Sequence, residues 1–203
     1  MLRAAAAIVA GSSLLAACTL SDRDEERSIS RETGVRVEVY AGVPEPQRKR
    51  PRGVANAALC RSGLRSCPGI PELEPSRTYY YVFPGAPRLT AEHFVLAKTR
   101  QDFDSATGEP VVLLRLDSEG ETTFRDLTRG LARRGGASVT QFAIVVDGEL
   151  ISAPTFDPRV YPDGLDASSG IQISGLASLE EARALAQVLK LSGDRASSTE
   201  MEH

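Results

Sequence analysis

The sequence predicts an α+β fold: a mainly antiparallel sheet with two or three helices on one face. Three observations carry that expectation. Short β-rich or alternating runs recur between turn residues, and Asp147-Gly148 joins two of them as a tight hairpin. Two stretches, each opened by a capping residue, place apolar side chains at spacings of three and four, as one helical face requires. Over residues 88–193 these elements run strand, helix, strand, strand, strand, helix. Consecutive strands without intervening helices favour antiparallel pairing over parallel crossovers.

The chain opens with a different kind of segment. Met1-Leu2-Arg3 supplies one positive charge, and residues 4–17 carry none. That is the layout of a secretory signal, and the run is shorter than the roughly 20 apolar residues a bilayer span needs. Leu15-Ala16-Ala17-Cys18 ends it. This resembles the lipobox of bacterial lipoproteins, which implies a signal peptide over residues 1–17 and lipid attached to Cys18. Residues 18–33 are almost wholly polar and are expected to form a flexible tether. The expected location is therefore the cell envelope, lipid-anchored and facing the periplasm.

A segment over residues 34–87 follows. Val35, Val37 and Val39 alternate with Arg36, Glu38 and Tyr40, a half-buried strand by period. Residues 44–52 form a proline-broken basic run, read as a surface loop, with contact to anionic lipid head groups as its sharper reading. Residues 54–76 hold three prolines and the cysteine pair Cys60 and Cys67, and are expected to be irregular. In an oxidising compartment a disulfide is the default for that pair. Free thiols are the second possibility and a metal site the third, with only His93 and His203 to complete it. Residues 78–83 read as a core strand stopped by Pro84-Gly85.

Within residues 88–193, Thr90 is placed to cap a helix over 91–101, with Leu89 and Phe94 as a hydrophobic staple. Gly108-Glu109-Pro110 breaks the chain, and residues 111–116 form an apolar strand. Ser118 and Glu121 fit a capping box, and Phe124, Leu127 and Leu131 line the helix that follows, closed by Gly135-Gly136. Residues 142–146 and 149–156 are the hairpin strands, with Pro154 pushing the second towards an edge or an end. Residues 170–175 alternate as another strand. Ser178 and Glu181 form a second capping box, Leu179, Ala182, Leu185, Ala186 and Leu189 line the helical face, and Gly193 fits its stop. Residues 194–203 are expected to be a loose tail.

Chemistry is sparse. The chain has two histidines, and His203 is its last residue. Any Ser-His-Asp or Cys-His arrangement would hang on His93 alone. Nucleophile-elbow, phosphate-loop and metalloprotease motifs are missing. Asp117, Glu119 and Glu121 are explained by capping and the helix dipole. The expectation is no enzyme, no cofactor and no metal. With 24 basic against 27 acidic residues, nucleic acid is not the expected general partner.

The stretch 89–193 resembles the first periplasmic (head) domain of SecD, an accessory subunit of bacterial protein secretion. The matching pieces are Phe103-Asp104 with residues 107–112, residues 116–120 before Phe124 and Leu127-Thr128, and residues 142–148. Residues 151–154, 171–175 and 180–186 continue the series. In SecD this domain sits between two membrane helices, and the membrane part couples proton flow to export. The resemblance implies a membrane-anchored module that binds exported polypeptide or a translocase subunit without a motor of its own. The alternative is a scaffold lipoprotein of an envelope assembly unconnected with secretion. An exposed apolar groove between sheet and helix would favour the first.

Overall fold

The structure, a computed structural model, describes residues 35–62, 66–71, 76–135 and 139–199, the side chains of the last seven excepted. These all fall within one compact unit, Gly34–His203. Residues 1–33, where the signal peptide, the lipidated Cys18 and the tether are expected, lie outside the described residues, as do Gly136 and His203.

Among the described residues ten strands and two α-helices form. The strands are β1 (Val37–Tyr40), β2 (Ala57–Arg61), β3 (Thr78–Val82), β4 (Arg100–Phe103) and β5 (Pro110–Leu114), then β6 (Thr140–Gln141), β7 (Ala143–Val146), β8 (Glu149–Ser152), β9 (Thr155–Phe156) and β10 (Ile171–Ile173). The helices are α1 (Ser118–Gly135) and α2 (Leu179–Thr199). The strands make a five-stranded sheet in the order β1-β7-β8-β2-β3, a three-stranded sheet β10-β5-β4 and the pair β6-β9. Among their pairings only β2 with β8 is parallel. The fold is α+β, as expected.

Strand alternation divides the interior into two layers. Val37, Val39, Ile144 and Val146 face the helices and share a core with Phe124, Leu127 and Leu131 of α1 and Ala182, Ala186 and Leu189 of α2. Phe124 meets Phe142 edge to face at 5.2 Å. The opposite faces of β1 and β7 place Tyr40, Ala143 and Val145 in a second cluster with Leu150 of β8, Ala58, Cys60, Tyr79 and Tyr81. Among the described residues no helix contributes to that layer. The Cys60–Cys67 disulfide closes part of it, and Phe83 stacks on Tyr40 at 4.0 Å. The tyrosine run is core at Tyr79 and Tyr81, both buried.

Five elements differ from the sequence expectation. The strand over 149–156 divides at Ala153-Pro154 into β8 and β9, which pair in different sheets, since proline cannot donate to a ladder. The helix over 91–101 does not form. Two single 3-10 turns (Ala91–His93 and Leu96–Lys98) lead instead into β4. The buried residues there, Leu89, Phe94 and Leu96, do not sit at helical spacing, and pairing with β5 satisfies the backbone better. Residues 57–61, expected to be irregular, are β2. Ala-Ala-Leu-Cys-Arg has little intrinsic strand preference, and partners on both sides impose the conformation. The N-cap of α1 is Asp117 rather than Ser118: its Oδ1 accepts the Gly120 N–H at 2.7 Å. Finally, α2 runs through Gly193 to Thr199, because one helical glycine costs only about 1 kcal/mol and no proline follows to stop the helix.

The hairpin and the second cap form as expected. Asp147 and Gly148 have φ of 49° and 75°, and the Asp147 carboxylate accepts the Arg36 N–H at 2.8 Å, tying the turn to β1. Ser178 Oγ accepts the Glu181 N–H at 3.1 Å, and the Glu181 carboxylate reaches back to the Ala177 N–H at 2.7 Å. The sequence segments 34–87 and 88–193 are not separate in packing. β1 pairs with β7 and β2 with β8, so both segments build the same sheet.

Candidate functional site

The residues singled out from sequence do not converge. Cys60 on β2 and Cys67 are bonded, with Cα atoms 5.9 Å apart, and both are buried, a structural staple with no access for chemistry. His93 serves the local chain. Its Nδ1 accepts the Thr90 N–H at 3.2 Å, and its carbonyl accepts the Asp117 N–H that opens α1. Asp117 is occupied in capping. Among the described residues no cluster of three or more histidine, cysteine or acidic side chains could hold a metal, and no helix is long and apolar enough to cross a membrane.

The strands that could have walled an exposed groove between sheet and helix are largely covered. Val111, Val112 and Leu114 are buried, and Ile151 is partly buried against the helical core. The accessible surface of interest lies at the neighbouring strand. β4 pairs with β5 on one side, and among the described residues no strand pairs with its other side. The register decides which groups that edge presents. Asp104 N–H donates to Glu109 C=O at 2.9 Å, so 104/109 is a bonded pair of the antiparallel ladder. Bonded pairs alternate, which makes Asp102/Val111 and Arg100/Leu113 the next two. Gln101 and Phe103 therefore turn their N–H and C=O groups outward. Of these, the Phe103 N–H is held by the Asp102 carboxylate at 2.9 Å, a local cap that shields the edge.

Phe103 itself is 54% exposed, although it is a large aromatic ring in a strand. It shares a sheet face with Gln101, which pairs with core residue Val112, and so lies on the face that α2 covers. α2 packs against β4 and adds exposed Val188 and Leu191 on its outer side. The edge is rigidly supported at its far end. Asp104 Oδ1 accepts the N–H groups of Ala106 and Thr107 at 2.8 and 2.9 Å, and Oδ2 accepts Gln172 Nε2 at 2.8 Å. Those bonds hold the Asp104 carboxyl below its ordinary pKa, the Thr107 backbone bond most strongly. Gly108, at φ 72°, completes the turn.

β4 thus presents an outward-facing strand edge, with the exposed ring of Phe103 on one face. The sequence assigns Phe103-Asp104 no role, because the spacing before it predicts a helix. The period-2 signal in Arg-Gln-Asp-Phe is too weak to announce a strand.

Comparison with known proteins supplies the family. Residues 71–193 match the family described as SecDF, P1 head subdomain, and the chain belongs to it. It is 34% identical over 110 residues to the protein translocase subunit SecDF of Brucella abortus, a match covering 54% of this chain and 13% of that protein. It is 33% identical over 111 residues to the protein translocase subunit SecD of Rhodobacter capsulatus, covering 55% of this chain and 17% of the relative. The matched stretch thus spans less than a fifth of the length of these curated relatives. Among solved structures, SecDF in its super-membrane-facing form covers 84% of this chain and 21% of its own, with TM-score 0.45 and 25% identity. A membrane component SecDF that enhances protein export covers 86% of this chain and 70% of its own, with TM-score 0.44 and 22% identity.

Proposed function

We propose that this chain is a non-enzymatic, lipid-anchored envelope module of protein translocation that binds extended segments of exported polypeptide along the outer edge of β4. Family membership and the names of its relatives, translocase subunits, support the setting. The single observation that carries the binding mode is the unpaired side of β4 with Phe103 exposed beside it. An incoming strand would take up the outward groups of Gln101 and displace the Asp102 carboxylate from the Phe103 N–H. Backbone bonds would supply affinity without demanding a particular sequence, while Phe103 would select apolar side chains. The anchor is Cys18, by its lipobox setting.

A titration against one fluorescent polypeptide, offered unfolded and folded, tests the binding. The expectation is saturable binding of the unfolded form alone. Phe103→Glu, at an exposed position, weakens it by about tenfold or more, the effect of removing an interface hot spot, with the melting temperature unchanged. No binding to either form would sink the reading and leave an envelope scaffold. The anchor is tested separately: Cys18→Ser abolishes incorporation of labelled palmitate and releases the protein from the membrane fraction.

A further inference from the structure

We infer that the loop of residues 48–54 is a second contact surface, and that its partner is an anionic lipid bilayer. The segment reads Arg48-Lys49-Arg50-Pro51-Arg52-Gly53-Val54, four cations in five residues of a chain that is net −3. Except for half-buried Pro51, every one of these residues is exposed. Arg48 is already engaged within the chain. For Lys49, Arg50 and Arg52 there is no ion pair or side-chain hydrogen bond among the described residues.

The loop is held in place from both ends. Gln47 and Tyr80 exchange two backbone hydrogen bonds of 2.8 Å at the outer side of β3, and Phe83 N–H donates to Asn56 C=O at 2.8 Å. Pro46 lies against Gly69. The cations therefore hang from the β3 end of the five-stranded sheet as one fixed patch rather than on a free tail. Gly53, at φ 66°, turns the chain immediately before Val54, which is 42% exposed. A basic cluster with an aliphatic residue at its margin suits a head-group interface, where cations meet lipid phosphates and the aliphatic group enters the acyl boundary. Nucleic acid is the weaker fit. Between Gln47 and Asn56 there is no aromatic ring to stack on a base, and the acidic remainder repels a polyanion that wraps the surface. A planar bilayer meets one edge only.

The test uses the full chain, so that any contribution of its N-terminal residues is common to every sample. Flotation is measured with vesicles of phosphatidylcholine alone and with added phosphatidylglycerol, for the native protein and for K49Q/R50Q/R52Q. The expected result is ~10-fold or greater enrichment on the anionic vesicles, lost in the triple variant and suppressed by raised salt. R50K/R52K, which keeps the charge, should retain it and so separates charge from any folding defect. Equal anionic enrichment in the native and triple-variant proteins overturns the inference. So does tighter binding to a short RNA than to the vesicles, abolished by the same variant. Neither result bears on polypeptide binding at β4, which is read out without lipid.

Discussion

At the scale of single residues, two glycines and two tyrosines make sharp demands. A Cβ on Gly120 would stand 2.5 Å from the His93 carbonyl oxygen, where the chain entering α1 crosses the preceding turn. Gly120→Ala is therefore expected to cost ~2 kcal/mol or more of unfolding free energy by urea titration, because a backbone atom cannot step aside. Gly170, at φ 96°, brings the chain against the Leu114 carbonyl and is equally intolerant. Burial, then the charge of Glu38, pushes the Tyr40 phenol from 10.0 up to about 12, and burial pushes Tyr81 to about 12. The unfolded chain releases these protons first as pH climbs. The contribution is fully present below about pH 10 and is lost as pH rises through about 12, so stability measured by urea unfolding should fall across that interval. Tyr81→Phe should remove part of that slope, at a cost of about 1 kcal/mol at neutral pH for the bond its hydroxyl donates to Pro68 C=O at 2.7 Å. Asp104 gives a local test: Asp104→Ala should speed hydrogen exchange at Ala106 and Thr107 while leaving β5 protected, since its carboxylate holds those two amides.

At the scale of elements, the disulfide spans only seven positions, and reduction is expected to cost ~2 kcal/mol by the entropy of closing a short loop. Calorimetry under reducing and oxidising conditions checks it, and equal melting temperatures would show that the tyrosine layer holds without the staple. Elements whose signals are local were legible in the sequence. The Asp147-Gly148 turn needs positive φ at both positions, the Ser178 box supplies its own partners, and the Val35 to Val39 alternation reports one buried face. Elements made by their partners were not. β2 has an undistinguished composition and exists because β3 and β8 flank it. β4 is polar apart from Phe103, and its strand character comes from β5. The candidate site suffered the same way: its defining property, an unpaired side, belongs to the arrangement of strands and to no residue pattern.

At the scale of the whole molecule, the boundary suggested by sequence resemblance does not coincide with a break in packing. Strands from residues 34–87 and 88–193 interleave in a single sheet, and α2 meets the chain just before β1, where Ser192 Oγ accepts the Val35 N–H at 3.4 Å. A fragment limited to residues 88–193 would expose the β1-facing side of β7 and the β2-facing side of β8. It is expected to aggregate or remain partly unfolded, whereas the chain from residue 34 should unfold in one cooperative step by circular dichroism. An independently stable 88–193 fragment would contradict that. The strand order also imposes a schedule. β1, β2 and β3 come first along the chain, yet β1 has no neighbouring strand until β7 arrives, and β2 lacks its second neighbour until β8 does. When the chain is delivered N-terminus first, β1 must wait for β7, and β2, although it can already pair with β3, gains its second neighbour only once residue 152 has emerged. Long waits of this kind slow folding and prolong exposure to proteases and chaperones.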